Sequence, residues 1–141
     1  MRISQYMSRK VITTGPDEGV RQAFFVMRRE GVRHLPVVDP QGALVGIISD
    51  RDLRRPDWVD EDFAVSHPYR LDDELRVGDL MSRDVVTVHT YDSIGKAAGI
   101  LEERRFGALP VLDKEGTLVG VLSAYDLLRA LRDTISEKKD V

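Results

Sequence analysis

The chain has no cysteine, three histidines and a single tryptophan, and no apolar run approaches the roughly 20 residues that a membrane-spanning helix needs. Without cysteine there is no disulfide, no thiolate nucleophile and no zinc–thiolate site. The histidines, at positions 34, 67 and 89, form no HxxxH or HExxH pattern and have no clustered acidic partner, so no metal site is expected. GxSxG, GxxxxGK[ST] and GxGxxG are all missing, which removes the common nucleophile and phosphate-loop chemistries, and no enzyme is expected. The opening MRISQYMSRK lacks the apolar stretch of a secretion signal, so the expected setting is cytoplasmic. A basic excess is lacking too. Net charge is −3, yet residues 56–77 hold seven acidic residues and two arginines, a local −5 that leaves about +2 elsewhere. That weak, scattered remainder does not make the basic stripe that nucleic acid requires, and nucleic acid is not an expected partner.

What the chain does have is a repeat. GIISDRDL at residues 46–53 returns as GVLSAYDL at residues 120–127, and a shift of 74 aligns 7–55 with 81–129 without a gap, 18 of 49 pairs being identical. Two copies of so long a period suggest two similar modules rather than a solenoid. In each, a short β-prone run (Val11-Ile12-Thr13; Val85-Val86-Thr87) precedes a stretch with apolar residues at i, i+3, i+4 and i+7. These are Val20, Ala23, Phe24 and Met27 in one copy and Ile94, Ala97, Ala98 and Leu101 in the other, with Ser93 suited to an N-cap and Gly31 to a C-terminal stop. LPVV and LPVL, the turns DPQG and DKEG, and LVGII and LVGVL then read as hairpins of largely buried strands. A second helix is expected from each SxxD, giving strand, helix, strand, strand, helix.

A methionine-led lead-in, V-x-T, h-P-V-h-D and h-h-G-h-h-S-x-x-D-L, all in tandem, resembles a CBS-domain pair, or Bateman module. The RHLPVVD and DRDL wording is similar to stand-alone bacterial pairs, those of the acetoin-utilisation type among them. The resemblance implies an α/β (α+β) fold of two β-α-β-β-α modules packed with pseudo-two-fold symmetry: 1–55 as the first module, 56–74 as an acidic linker or insert, 75–132 as the second module and 133–141 as a polar tail continuing the last helix. The insert carries Trp58, Phe63 and Tyr69, which either tack it onto a module or form a partner-binding edge or lid.

The SxxD motif supports two readings. As a capping box, Ser49 with Asp52, and Ser123 with Asp126, satisfy backbone donors at a helix start. Equally, a helix start offers free N–H groups and a positive dipole end to an anion, and an aspartate there can accept two hydrogen bonds from a vicinal diol. The CBS resemblance implies the second role as well: Asp52 and Asp126 for ribose, Ser49 and Ser123 for phosphate, and Thr13 and Thr87 near the base, in clefts between the modules. Arg33 and His34 stand where the second copy has Gly107 and Ala108. In related modules such basic residues can face the phosphates of a nucleotide held by the opposite repeat's aspartate, which would favour phosphate at Asp126, with His34 gaining charge if an anion raised its pKa. Arg51, matched by Tyr125, serves either a phosphate near Asp52 or a surface ion pair.

The expected function is therefore a regulatory module binding AMP, ADP, ATP or S-adenosylmethionine, with no obligatory cofactor. It would signal to a separate effector protein and form a homodimer. The alternative is a structural dimerisation module whose SxxD motifs only cap helices.

Overall fold

The computed structural model describes residues 1–53 and 74–139. The chain divides into two compact units, one formed by Ile12–Val85 and the other by Met1–Val11 together with Val86–Val141. We call them the first-repeat and second-repeat units. Compactness thus cuts the chain differently from the repeat: each unit takes the body of one copy and the lead-in of the other.

In the first-repeat unit, α1 (Val20–Glu30) precedes the antiparallel hairpin β1 (His34–Val38) and β2 (Leu44–Ser49), and α2 (Val77–Leu80) comes from the second lead-in. In the second-repeat unit, a 3-10 turn at Ile3–Gln5 comes from the first lead-in. It is followed by β3 (Val88–His89), α3 (Ile94–Arg104), β4 (Ala108–Leu112), β5 (Leu118–Ser123) and α4 (Ala124–Lys139), with β3 parallel to β4 and β4 antiparallel to β5. The fold is therefore mixed α/β. No helix among the described residues is long and apolar enough to cross a membrane.

The helical periodicity holds. Val20, Ala23, Phe24 and Met27 are buried on α1, as are Ala97 and Leu101 on α3; Ser93 Oγ caps α3 by accepting from the Lys96 amide, and Gly31 closes α1 at φ 68°. Both hairpin turns form alike. Asp39 Oδ1 accepts from the amides of Gln41 and Ala43 at 3.0 and 2.8 Å, and Asp113 Oδ1 from those of Glu115 and Thr117 at 2.9 Å each.

One expectation shifts. The strands expected at 11–13 and 85–87 are absent; pairing begins one residue later, as a single parallel bridge from Thr14 to Val37 and as β3 at Val88. The reason is the exchange of lead-ins: the unit boundaries fall after Val11 and after Val85, so each V-x-T run is chain in passage from one unit to the other. The helix expected after Ser49 begins with a turn closed by the Leu53 amide on Asp50 O at 3.2 Å, and its continuation lies outside the described residues. Trp58, Phe63 and Tyr69 of the insert lie outside the described residues.

Each lead-in docks by the same bonds, 74 residues apart. Ser8 and Val121 exchange two backbone hydrogen bonds at 2.9 and 3.0 Å, and Ser82 and Ile47 do the same at the same distances. The Ile3 amide donates to Asp92 O and the Val77 amide to Glu18 O. Met7 and Met81 thereby enter the two apolar cores, Met7 beside Leu109 and Leu122, Met81 beside Leu35 and Ile48. This packing explains the glycine of each LVG. A Cβ at Gly46 would lie 2.9 Å from Ser82 O and 2.6 Å from Met81 Sδ; at Gly120 it would lie 2.7 Å from Ser8 O and 2.8 Å from Met7 Sδ. A thioether can swing aside, but a carbonyl held in a two-bond bridge cannot. Gly120→Ala and Gly46→Ala should each lose about 1–3 kcal/mol in urea unfolding. Gly99→Ala on α3, where a Cβ meets nothing within 4 Å, should be neutral or stabilising. An unchanged midpoint for Gly120→Ala would contradict this account.

Candidate functional site

The SxxD motifs close as capping boxes in both copies. Ser49 N–H donates to Asp52 Oδ2 at 2.8 Å and Asp52 N–H to Ser49 Oγ at 3.2 Å. Ser123 N–H donates to Asp126 Oδ2 at 2.8 Å and Asp126 N–H to Ser123 Oγ at 3.3 Å. In each case the serine ends a strand, so the box turns the chain sharply from β2 or β5 into the following turn or helix and holds the aspartate at that corner. Asp126 is the buried acidic residue among the described residues. One carboxylate oxygen of each aspartate serves the box, which fixes the side chain and leaves the second oxygen, Oδ1, as the one that can serve a ligand.

The first-repeat unit gathers most of the sequence-predicted residues at this corner. His34 stands directly opposite Ser49 in the β1–β2 register, and the Asp50 amide donates to Arg33 O at 2.9 Å just beyond. Directly opposed residues of an antiparallel pair project to the same face with Cβ atoms about 4.5–5.5 Å apart, so the imidazole and the Ser49–Asp52 box share one face. Arg33 and Arg51 are both exposed at this end. Thr13 is exposed and directly precedes Thr14, whose amide donates to Pro36 O at 3.0 Å, so it enters alongside the strand that carries His34.

His34 is half-buried, and burial pushes its pKa below 6.5; Asp50 and Asp52 pull the other way, while Arg33 reinforces the fall. The side chain is therefore neutral near pH 7, and any gain of charge from a bound anion must first overcome its burial.

In the second-repeat unit Ser123 and Asp126 sit at the equivalent corner, with Ala108 opposite Ser123 in place of the imidazole. Tyr125 is exposed, and Thr87 is half-buried directly before β3. One charged neighbour escaped the sequence reading. Arg129 Nη2 lies 3.4 Å from Asp126 Oδ1, so this corner carries a cation from its own helix. The signal was there: Asp126 and Arg129 are three apart on a helix, a spacing that brings side chains together. The matching residue in the first repeat, Arg55, lies outside the described residues. No cluster of His, Asp or Glu among the described residues is arranged to hold a metal ion.

The CBS domain family model matches residues 3–56 and 77–133. A CBS domain-containing protein of Dictyostelium discoideum is 34% identical over 132 residues, covering 92% of this chain and 90% of its own length. The crystal structure of CBSX2 in complex with AMP, a CBS-pair protein of Arabidopsis thaliana, is 30% identical with a TM-score of 0.72, covering 94% of this chain and 97% of that one. An acetoin utilization protein (AcuB) from Vibrio cholerae shares the fold at 23% identity and a TM-score of 0.74, covering all of this chain and 97% of its own. Other relatives are longer. The chain spans 46% of one Methanocaldococcus jannaschii protein and 23% of that organism's inosine-5'-monophosphate dehydrogenase.

The burial of His34 gives stability a pH dependence. Because the folded-state pKa lies below the unfolded value of 6.5, the unfolded chain binds more protons there, and stability rises with pH. The contribution is full above 6.5 and is lost as pH falls from there towards the folded-state value. Urea midpoints measured between about pH 5 and pH 7.5 should climb with pH in the wild type and climb less in His34→Gln. Equal slopes would remove His34 as the source.

Proposed function

Because the chain belongs to the CBS-domain family as a tandem pair, we propose that it is a regulatory module that binds an adenosine-containing ligand, AMP, ADP, ATP or S-adenosylmethionine, at its SxxD corners. Asp52 and Asp126 accept the ribose hydroxyls. Ser49 and Ser123, with the helix-start amides, lie towards phosphate, and Thr13 and Thr87 lie towards the base. Arg51 offers the Asp52 corner a donor for a charged ligand; Arg33 and His34, which the family resemblance sets against a phosphate at Asp126, are read here as donors at the first-repeat corner because His34 stands opposite Ser49. The observation that carries this reading is the pair of closed capping boxes, which pre-set both aspartates with Oδ2 bonded to the backbone and Oδ1 left for a diol, in competition with Arg129 at Asp126. The AMP named with CBSX2 supports the ligand class.

Chemically, the corners are built for holding rather than reacting. Neither Asp126 nor Asp52 stands beside a nucleophile and base in hydrogen-bond sequence among the described residues, so we read the chain as a binding module and not a catalyst. Binding must then act through a conformational difference that a separate effector protein senses, in a cytoplasmic setting.

A second reading, a purely structural homodimerisation module, draws on α4. Tyr125, Leu128, Leu131 and Ile135 are 64%, 60%, 55% and 47% exposed and recur at three- and four-residue spacing, an apolar stripe on one helix face. A homodimer through this stripe is compatible with either reading, so ligand binding is what separates them.

Calorimetric titration of the purified protein with AMP, ATP and S-adenosylmethionine should show saturable binding. Asp126→Asn, which keeps the size and one acceptor oxygen, should weaken it by roughly tenfold or more, since hydrogen bonds to a charged acceptor contribute about 1.5–3 kcal/mol each. Asp52→Asn tests the other corner in the same way. No heat from any of the three, on protein shown by mass spectrometry to carry no nucleotide, would leave the boxes as helix caps and favour the structural reading.

A further inference from the structure

Arg129 is held on three sides within the second-repeat unit. Its Nη2 donates to the Tyr6 carbonyl at 2.7 Å and stands 3.4 Å from Asp126 Oδ1, and its guanidinium carbon lies 5.8 Å from the centre of the Tyr6 ring. The Tyr6 hydroxyl in turn donates to Asp133 Oδ2 at 2.9 Å. The contacts therefore run from the SxxD carboxylate to Arg129, from Arg129 to the lead-in at Tyr6, and from Tyr6 back to α4 two turns beyond Asp126.

We propose that Arg129 is a latch between the ligand corner and the lead-in: a ribose diol taken up by Asp126 displaces the guanidinium from Oδ1 and so loosens the hold of α4 on residues 1–8. This rests on the adenosine-binding reading above and adds to it the route by which binding moves the chain. Oδ2 already accepts from the Ser123 amide at 2.8 Å and the guanidinium stands at Oδ1, so a diol that seats on the Oδ1 side competes with Arg129 for that side. The arginine is the weaker claimant. Its side chain is 49% exposed, and an ion pair with a half-exposed partner contributes little, whereas two diol hydroxyls donate directly to a largely buried carboxylate.

The latch is also asymmetric. The counterpart of Tyr6 in the other lead-in is Leu80, which has neither a hydroxyl for a carboxylate nor a ring face for a guanidinium. The ring and hydroxyl contacts are thus particular to this lead-in, which runs on within four residues of Ser8 into Ile12, the start of the first-repeat unit.

The test is amide hydrogen exchange by mass spectrometry on wild type, Arg129→Ala and Tyr6→Phe, with AMP at the saturation found by calorimetry. In the wild type AMP should speed exchange several-fold in the peptide covering residues 1–8, whose Tyr6, Met7 and Ser8 amides are bonded. Arg129→Ala should exchange fast there without ligand, gain nothing further from AMP, and bind AMP at least as tightly as wild type. Tyr6→Phe, which keeps the carbonyl and ring contacts, should retain the AMP response in residues 1–8. AMP binding without any change in residues 1–8, or weaker AMP binding by Arg129→Ala, would overturn the latch alone, the second result marking Arg129 as a ligand contact. A wild type that binds none of AMP, ATP and S-adenosylmethionine would overturn the adenosine reading and the latch together.

Discussion

The backbone of each lead-in passes directly over a glycine of the hairpin in the unit it completes, and both units are organised around that contact. At Gly120 the passing strand is Met7-Ser8; at Gly46 it is Met81-Ser82. The two-bond bridge formed there anchors Val121 and Ile47, each only two residues before the serine of its SxxD motif. The same passage delivers the methionine to the apolar core. Docking of the lead-in therefore settles the core composition and the strand end from which the functional corner springs. Removing that close approach would cost packing and position together, because both depend on one backbone crossing with no room for a methyl group.

At the corner itself, one geometry serves capping and suits the proposed binding. Reciprocal Ser–Asp hydrogen bonds satisfy helix-start amides that would otherwise lack partners. In doing so they immobilise a carboxylate that would be a mobile surface group elsewhere on a helix. One oxygen is spent on the backbone and the other is left to choose among partners. In the second-repeat unit its partner is Arg129. In the first-repeat unit a half-buried imidazole, His34, feels the Asp52 carboxylate across the hairpin, where the second repeat has Ala108.

Lead-in exchange also gives each unit's stability a non-local component. A unit is complete only when a segment remote in sequence has docked. In the second-repeat unit that segment is also tied to α4 through Tyr6, Arg129 and Asp133. A helix whose N-terminal box fixes Asp126 and whose middle grips the lead-in ties that carboxylate to the order of the lead-in.

Much of this could be read from the sequence, because periodic burial and turn chemistry are local. The α1 and α3 faces, the Asp…Gly hairpin turns and the SxxD boxes depend on residues within a few positions of each other, and the 74-residue repeat revealed that they occur twice. The strand expected at each V-x-T run was displaced because the sequence cannot show which unit a segment joins, and β-prone residues in passage between units have no strand to pair with. The reason for Gly46 and Gly120 was likewise hidden: their constraint is the approach of backbone some 35 residues away in one case and more than 110 in the other. Local hydrogen bonding thus determined the elements and the aspartate corners by sequence alone. Which lead-in completes which unit, that Arg129 bridges Asp126 to Tyr6, and that His34 is held neutral by burial were decided by tertiary structure, because each depends on desolvation or contact between residues far apart in the chain.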